Sequence, residues 1–114
     1  MSVRQLLPTR RGHTVLTIEF AGQKYHVGYG QEIVGKVVQP RVVEVFADAK
    51  RTGSDSQAQL ADSCIAISLL LQHGLTMKQI AEAFGESRSE GMASGPPSSI
   101  LGCIARAGVA LEIA

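Results

Sequence analysis

Two short runs of alternating residues, separated by Ala21-Gly22, constrain this chain more than anything else in it. Leu16, Ile18 and Phe20 share one side of the first run; Val15, Thr17 and Glu19 share the other. Tyr25, Val27 and Tyr29 alternate in the second run. A period of two marks a strand with one buried face. A two-residue turn at Ala21-Gly22 pairs Phe20 with Gln23, Ile18 with Tyr25 and Leu16 with Val27, so the apolar sides coincide, as a hairpin register requires. The same register sets His26 opposite Thr17 and apart from His13.

Downstream the signals alternate between clear and ambiguous. Gly30, Gly35 and Pro40 interrupt the pattern, and Ile33-Val34 and Val37-Val38 fit either a short strand or an edge. Arg41 to Ala47 is rich in β-branched and aromatic residues and predicts a third strand. A polar turn, Lys50 to Asp55, leads into a helix capped by Ser54 or Asp55 and running to His73, with Gly74 as its C′ residue. Its apolar residues wrap most of the circumference. Leu60, Ile67 and Leu71 form one stripe, while Ala61, Cys64, Ile65 and Leu69 form a second, which either the C-terminal helices or a second copy of the chain would cover. Thr76 and Gln79 have capping-box spacing and open a short helix carrying Ile80, Ala83 and Phe84, stopped by Gly85. Residues 86–97 read as an exposed loop. Ser98 or Ser99 caps a last short helix through Ile100, Leu101, Ile104 and Ala105, stopped by Gly108. The tail, Val109 to Ala114, fits a docked strand or a continuation of that helix. Residues 1–12 lack a period and read as a flexible arm. The prediction is one α+β domain over 13–114: an N-terminal antiparallel sheet, made of a hairpin plus a third strand, packed by a long central helix and two short C-terminal helices.

With 114 residues the chain has room for one core. A net charge of +1 and only 18% charged residues argue against a dedicated nucleic-acid binder and leave little repulsion between copies. No apolar run approaches the roughly 20 residues that span a bilayer. The N-terminus has Arg4, Arg10 and Arg11 but no apolar h-region, so a cytoplasmic location is expected. Cys64 and Cys103 sit in apolar stretches and read as reduced, buried thiols.

Lys50, Arg51, Thr52, Gly53 and Ser54 are the candidate site residues. Two cations, two hydroxyls and a glycine precede a helix N-terminus, where backbone amides favour a phosphate or nucleotide; a plain capped turn has the same look. Thr76 to Ser87 resembles the first helix of a helix-turn-helix, but the Gly/Pro/Ser-rich residues after it do not hold a recognition helix. His13, His26 and His73 form no metal-binding spacing, and no nucleophile–base pair is evident, so neither cofactor nor catalytic residues are expected.

Taken in order, Val43-Glu44-Val45-Phe46, Lys50, Gly53-Ser54-Asp55, the helix ending Leu69-Leu70-Leu71-Gln72-His73-Gly74, Ile80 and Ser98-Ser99-Ile100 resemble the TSCPD domain. That small domain lies near the C-terminus of cobalamin-dependent (class II) ribonucleotide reductases and also occurs as short free-standing proteins. The resemblance covers residues 13–105. The Thr-x-Cys-Pro-Asp signature is missing; only Pro96-Pro97 precedes Ser98-Ser99-Ile100. The reductases' redox cysteines are missing too, and a thiyl-radical barrel with its cobalamin site does not fit in this length. The resemblance implies a link to deoxynucleotide metabolism without reductase activity in this chain. The expected function is therefore a non-catalytic accessory or interaction module related to the reductase C-terminal domain. It would engage a nucleotide or phosphate, a reductase or other protein, or a second copy as a homodimer. The alternative is a small nucleic-acid-binding protein using Arg4, Arg10, Arg11 and the Lys50-Arg51 turn.

Overall fold

A computed structural model describes residues 12–48, 55–87, 91 and 94–113. The order is β1 (Gly12–Phe20), β2 (Gln23–Val34), β3 (Val37–Asp48), α1 (Asp55–Gln72), α2 (Met77–Ala83) and α3 (Ile100–Ile113). The strands form one antiparallel sheet, β1-β2-β3. This is the α+β arrangement the sequence predicts, strands first and helices after.

β1 and β2 pair in the anticipated register, with Phe20 opposite Gln23, Ile18 opposite Tyr25 and Leu16 opposite Val27. Ala21 and Gly22 both have positive φ, 51° and 77°. A tight hairpin turn whose twist matches its strands needs this conformation at both residues, and alanine adopts it at a cost.

The stretch 30–40 is the far half of a second hairpin, turned at Gly35-Lys36, with Val34 opposite Val37 and Ile33 opposite Val38. The pairing slips between Gly30 and Gln31 and again before Ile33. β3 runs straight through Pro40, where the sequence placed a boundary. β3 is an edge strand beside an irregular pairing, and such a position tolerates a missing N–H.

α1 ends at Gln72, one residue short of the expected His73. Gly74 (φ 103°) follows, and two bonds close the end: Gly74 N–H to Leu71 O at 3.1 Å and Leu75 N–H to Leu70 O at 3.1 Å. This is the Schellman pattern that an αL glycine permits. α2 carries the complete Thr76/Gln79 capping box. Ser99 Oγ accepts from Gly102 N–H at 3.1 Å and starts α3.

α3 does not stop at Gly108 but continues to Ile113, making it twice as long as α2. Gly108 is buried where the helix crosses Met77; a Cβ there would stand 2.8 Å from Met77 Cε and 2.9 Å from Met77 Cγ. The glycine serves close approach of α2 and α3 rather than termination. The core gathers under one face of the sheet: Val27, Tyr29, Val42, Val45 and Ala47 from the strands, Leu60, Cys64, Ile67 and Leu71 from α1, Met77 and Ile80 from α2, and Ile104 and Ala105 from α3. Among the described residues, no helix is long and apolar enough to cross a membrane.

Candidate functional site

Lys50, Arg51, Thr52, Gly53 and Ser54 lie outside the described residues, as do Arg4, Arg10 and Arg11. The helix expected after the turn does begin at Asp55.

α1 is seated along β3, and its inner row is partly polar. Ser68 Oγ accepts from Val45 N–H at 2.9 Å and lies 3.1 Å from Val45 O and 2.9 Å from Cys64 O, one of which takes its proton. Gln72 Nε2 donates to Val43 O at 3.2 Å. Arg41, from β3, returns a bond from Nη2 to Leu71 O at 2.7 Å, and its Nη1 lies 3.8 Å from Glu32. From the end of α3, Glu112 Oε2 accepts from Val42 N–H at 3.2 Å. Burial pushes the Glu112 carboxyl up, while the Val42 N–H and the Arg41 guanidinium pull it back. Backbone groups on the outer side of β3 thus bond to side chains rather than to another strand, which closes an edge that would otherwise template pairing. Sequence reading missed this seam. The available signal was two polar residues, Ser68 and Gln72, four apart in the otherwise apolar second half of the helix, from Cys64 onward.

The outer row of α1 is different. Ile65, Leu69 and Leu70 are 57%, 37% and 43% exposed, and Ala61 and Ala66 are exposed beside them. The C-terminal helices pack on each other, and α3 also on β3 and β1. They do not bury this row, so the second apolar stripe stays at the surface. Cys64, assigned to that stripe by spacing, instead joins the buried side.

Between α2 and α3 lies a cleft of about 400 Å³ lined by Lys78, Ala81, Glu82, Glu86, Ser94, Arg106 and Val109. Arg106 Nη2 contacts Glu86 Oε1 at 3.2 Å and donates to Gly95 O at 2.9 Å, while Glu86 Oε2 accepts from Gly95 N–H at 3.1 Å. Lys78 pairs with Glu82 at 4.0 Å. Two cations matched by two carboxylates leave no net field for an anion there, and the Glu86–Arg106 pair pins the loop before α3. Glu86 bridges to Pro97, so the chain doubles back after α2 where a helix-turn-helix would enter its second helix.

Both cysteines are free; Cys64 is buried and Cys103 half-buried, at the margin of α3's inward row of Gly102, Ile104, Ala105 and Gly108. Burial pushes the Cys64 thiol up to about 11, which suppresses its thiolate. Burial also pushes the Tyr29 phenol above its ordinary range, with smaller contributions from Cys64 and Cys103. The Tyr29 hydroxyl donates to Ile104 O at 2.7 Å and ties α3 to the sheet. His26 Nδ1 lies 3.3 Å from Thr17 Oγ1, as the hairpin register requires, and His13 packs edge-on to Phe46 with ring centres 6.1 Å apart. Among the described residues, no group of His, Cys, Asp and Glu is placed to hold a metal ion.

Comparison with known proteins matches residues 7–112 to the model of the TSCPD domain. A vitamin B12-dependent ribonucleotide reductase of Agrobacterium fabrum (strain C58 / ATCC 33970) is 32% identical over 94 residues, covering 81% of this chain and 7% of the reductase. No solved structure matches the chain significantly.

Proposed function

Because the chain belongs to the TSCPD domain family, we propose that it is a non-catalytic accessory module for vitamin B12-dependent ribonucleotide reduction, acting in the cytoplasm by docking on a large protein partner through the outer row of α1. The observation that supports this is the exposed line Ile65, Leu69 and Leu70 along a helix whose other side is fully engaged. A contiguous apolar row of this kind on a small domain is the ordinary mark of a protein interface. The chain spans only 7% of the length of its reductase relative. A partner of reductase type therefore offers far more surface than this domain itself holds. Binding of the purified chain to a vitamin B12-dependent ribonucleotide reductase, measured by biolayer interferometry, tests the reading. Ile65→Asp and Leu69→Asp are expected to weaken binding at least about tenfold, since a charge at the centre of an apolar contact is strongly disfavoured. Unchanged binding by both variants, or none by the parent, overturns it.

A nucleotide or phosphate at Lys50 to Ser54 is a second element of the proposal, favoured by the position of those residues immediately before an 18-residue helix. Millimolar phosphate or nucleotide is then expected to raise the melting temperature, and Lys50→Ala with Arg51→Ala to abolish the shift.

A further inference from the structure

The sheet ends on two strands whose outer edges differ. The edge of β3 is occupied: Ser68 accepts from Val45 N–H and Glu112 from Val42 N–H. The edge of β1 is bare. The two-residue turn at Ala21-Gly22 makes Phe20 and Gln23 the first hydrogen-bonded pair of the hairpin, and bonded pairs then alternate along it. Thr14, Leu16, Ile18 and Phe20 bond to β2, while the N–H and C=O of His13, Val15, Thr17 and Glu19 point away from it. Among the described residues, neither a strand nor a side chain takes up those outward groups. β1 also lacks the usual guards of an edge. Its 9 residues include no proline and no lysine, and its pairing has none of the slips that interrupt β2 against β3. A long, regular edge of this kind is a template for another strand.

We propose that this edge pairs with β1 of a second copy, antiparallel about a twofold axis through Leu16, so that two chains share one continuous six-stranded sheet. The sequence of β1 selects this occupant because it complements itself when reversed. An antiparallel ladder requires outward-bonding residues to oppose outward-bonding residues, and with Leu16 on the axis they do so along the whole strand. On the open side, His13 opposes Glu19 of the second copy and Val15 opposes Thr17. On the helix side, Thr14 opposes Ile18 and Leu16 opposes its own copy, while Gly12 opposes Phe20. The acid of the strand therefore meets its imidazole, twice by symmetry, and no like charges are opposed. Glu19 is exposed, and His13 touches Phe46 by ring packing alone; among the described residues neither has a side-chain hydrogen bond or ion pair within the chain. Leu16 and Ile18, only partly buried at the margin of the core, gain cover. A slip of two residues in either direction shortens the ladder and parts His13 from Glu19. The contact is isologous and closes at two copies, and six strands is an ordinary sheet size. A single strand-to-strand seam belongs to the size class of weak, reversible associations, so a dissociation constant on the order of 100 µM is expected.

Sedimentation equilibrium of the full chain over rising concentration tests this. A monomer–dimer equilibrium is expected. Val15→Pro removes an outward N–H, a place where an edge strand tolerates proline, and should weaken the dimer at least about tenfold with far-UV circular dichroism unchanged. His13→Glu sets acid against Glu19 and should also weaken it, as should Glu19→Lys, whereas an equimolar mixture of the two single variants restores opposite charges at both ends and should associate as the parent does. Ile65→Asp, on the outer row of α1, should leave the dimer intact, which separates this seam from the partner-docking surface. In a Cys103→Ser background, a His13→Cys chain mixed with a Glu19→Cys chain should cross-link through a short bis-maleimide more than either chain alone. A monomer at every concentration overturns the proposal. So does a dimer that Ile65→Asp breaks and Val15→Pro does not, a mixture of His13→Glu and Glu19→Lys chains that associates no better than each alone, or cross-linking of one cysteine chain by itself as strong as that of the pair.

Discussion

The two sides of the sheet are built from the same three strands, yet they differ in what their side chains are committed to. On the helix side, Val27, Tyr29, Val45 and Ala47 are enclosed, and every buried side-chain polar atom among the described residues has a hydrogen-bond partner. On the open side, Val15 and Phe46 remain at the surface around two glycines. Alternation along a strand divides residues between the sides, but it does not say what covers each. The first side is closed by this chain's own helices; on the second, Val15 and Phe46 stay at the surface.

The sharpest way to break the contrast is to cut equally deep on each side. Leu71→Ala removes a fully enclosed side chain from beneath the sheet and is expected to cost about 2–5 kcal/mol, read by urea denaturation. Next comes the polar seam between α1 and β3. Ser68→Ala strands the Val45 N–H in an apolar setting and is expected to cost about 1–3 kcal/mol. On the open side, Phe46→Ser should cost only about 1 kcal/mol, less than either change on the helix side, because a ring 47% exposed has only part of its surface to lose. A larger loss would mean that Phe46 is structural and that the two sides are more alike than their exposure says. The smallest effect sharpens the contrast at the hairpin that both sides share. Ala21→Asn, at φ 51°, should stabilise by about 0.5 kcal/mol, since asparagine tolerates that conformation better than alanine.

Legibility followed the range of the interactions. The β1–β2 register was readable because a two-residue turn and a period of two specify it locally. Residues 30–40 were not, because Gly30, Gly35 and Pro40 break the period and the pairing slips there. The length of α3 was hidden for another reason: whether Gly108 ends a helix or admits Met77 depends on a helix some 30 residues away. At the α1 surface, spacing separated Ile65 and Leu69 from Leu60, Ile67 and Leu71 correctly but put Cys64 on the wrong side. On a helix apolar nearly all round, only the neighbour decides which arc is inward. The open face of the sheet was half legible. Val15 and Thr17 point outward by alternation, whereas the partnership of Phe46 with Gly28 needs a register across an irregular pairing.

The seam along β3 also sets an order in time. The two hairpins close over short stretches of chain and can form early. The bonds that finish β3 cannot: Ser68 reaches back 23 residues to Val45, Gln72 reaches back 29 to Val43, and Glu112 reaches back 70 to Val42. Between those moments the nascent sheet presents a raw strand to its surroundings. Mutations at Ser68 and Gln72 should therefore speed unfolding more than they slow folding. The interval before α1 arrives is when a crowded solution of these chains is most exposed to misassembly.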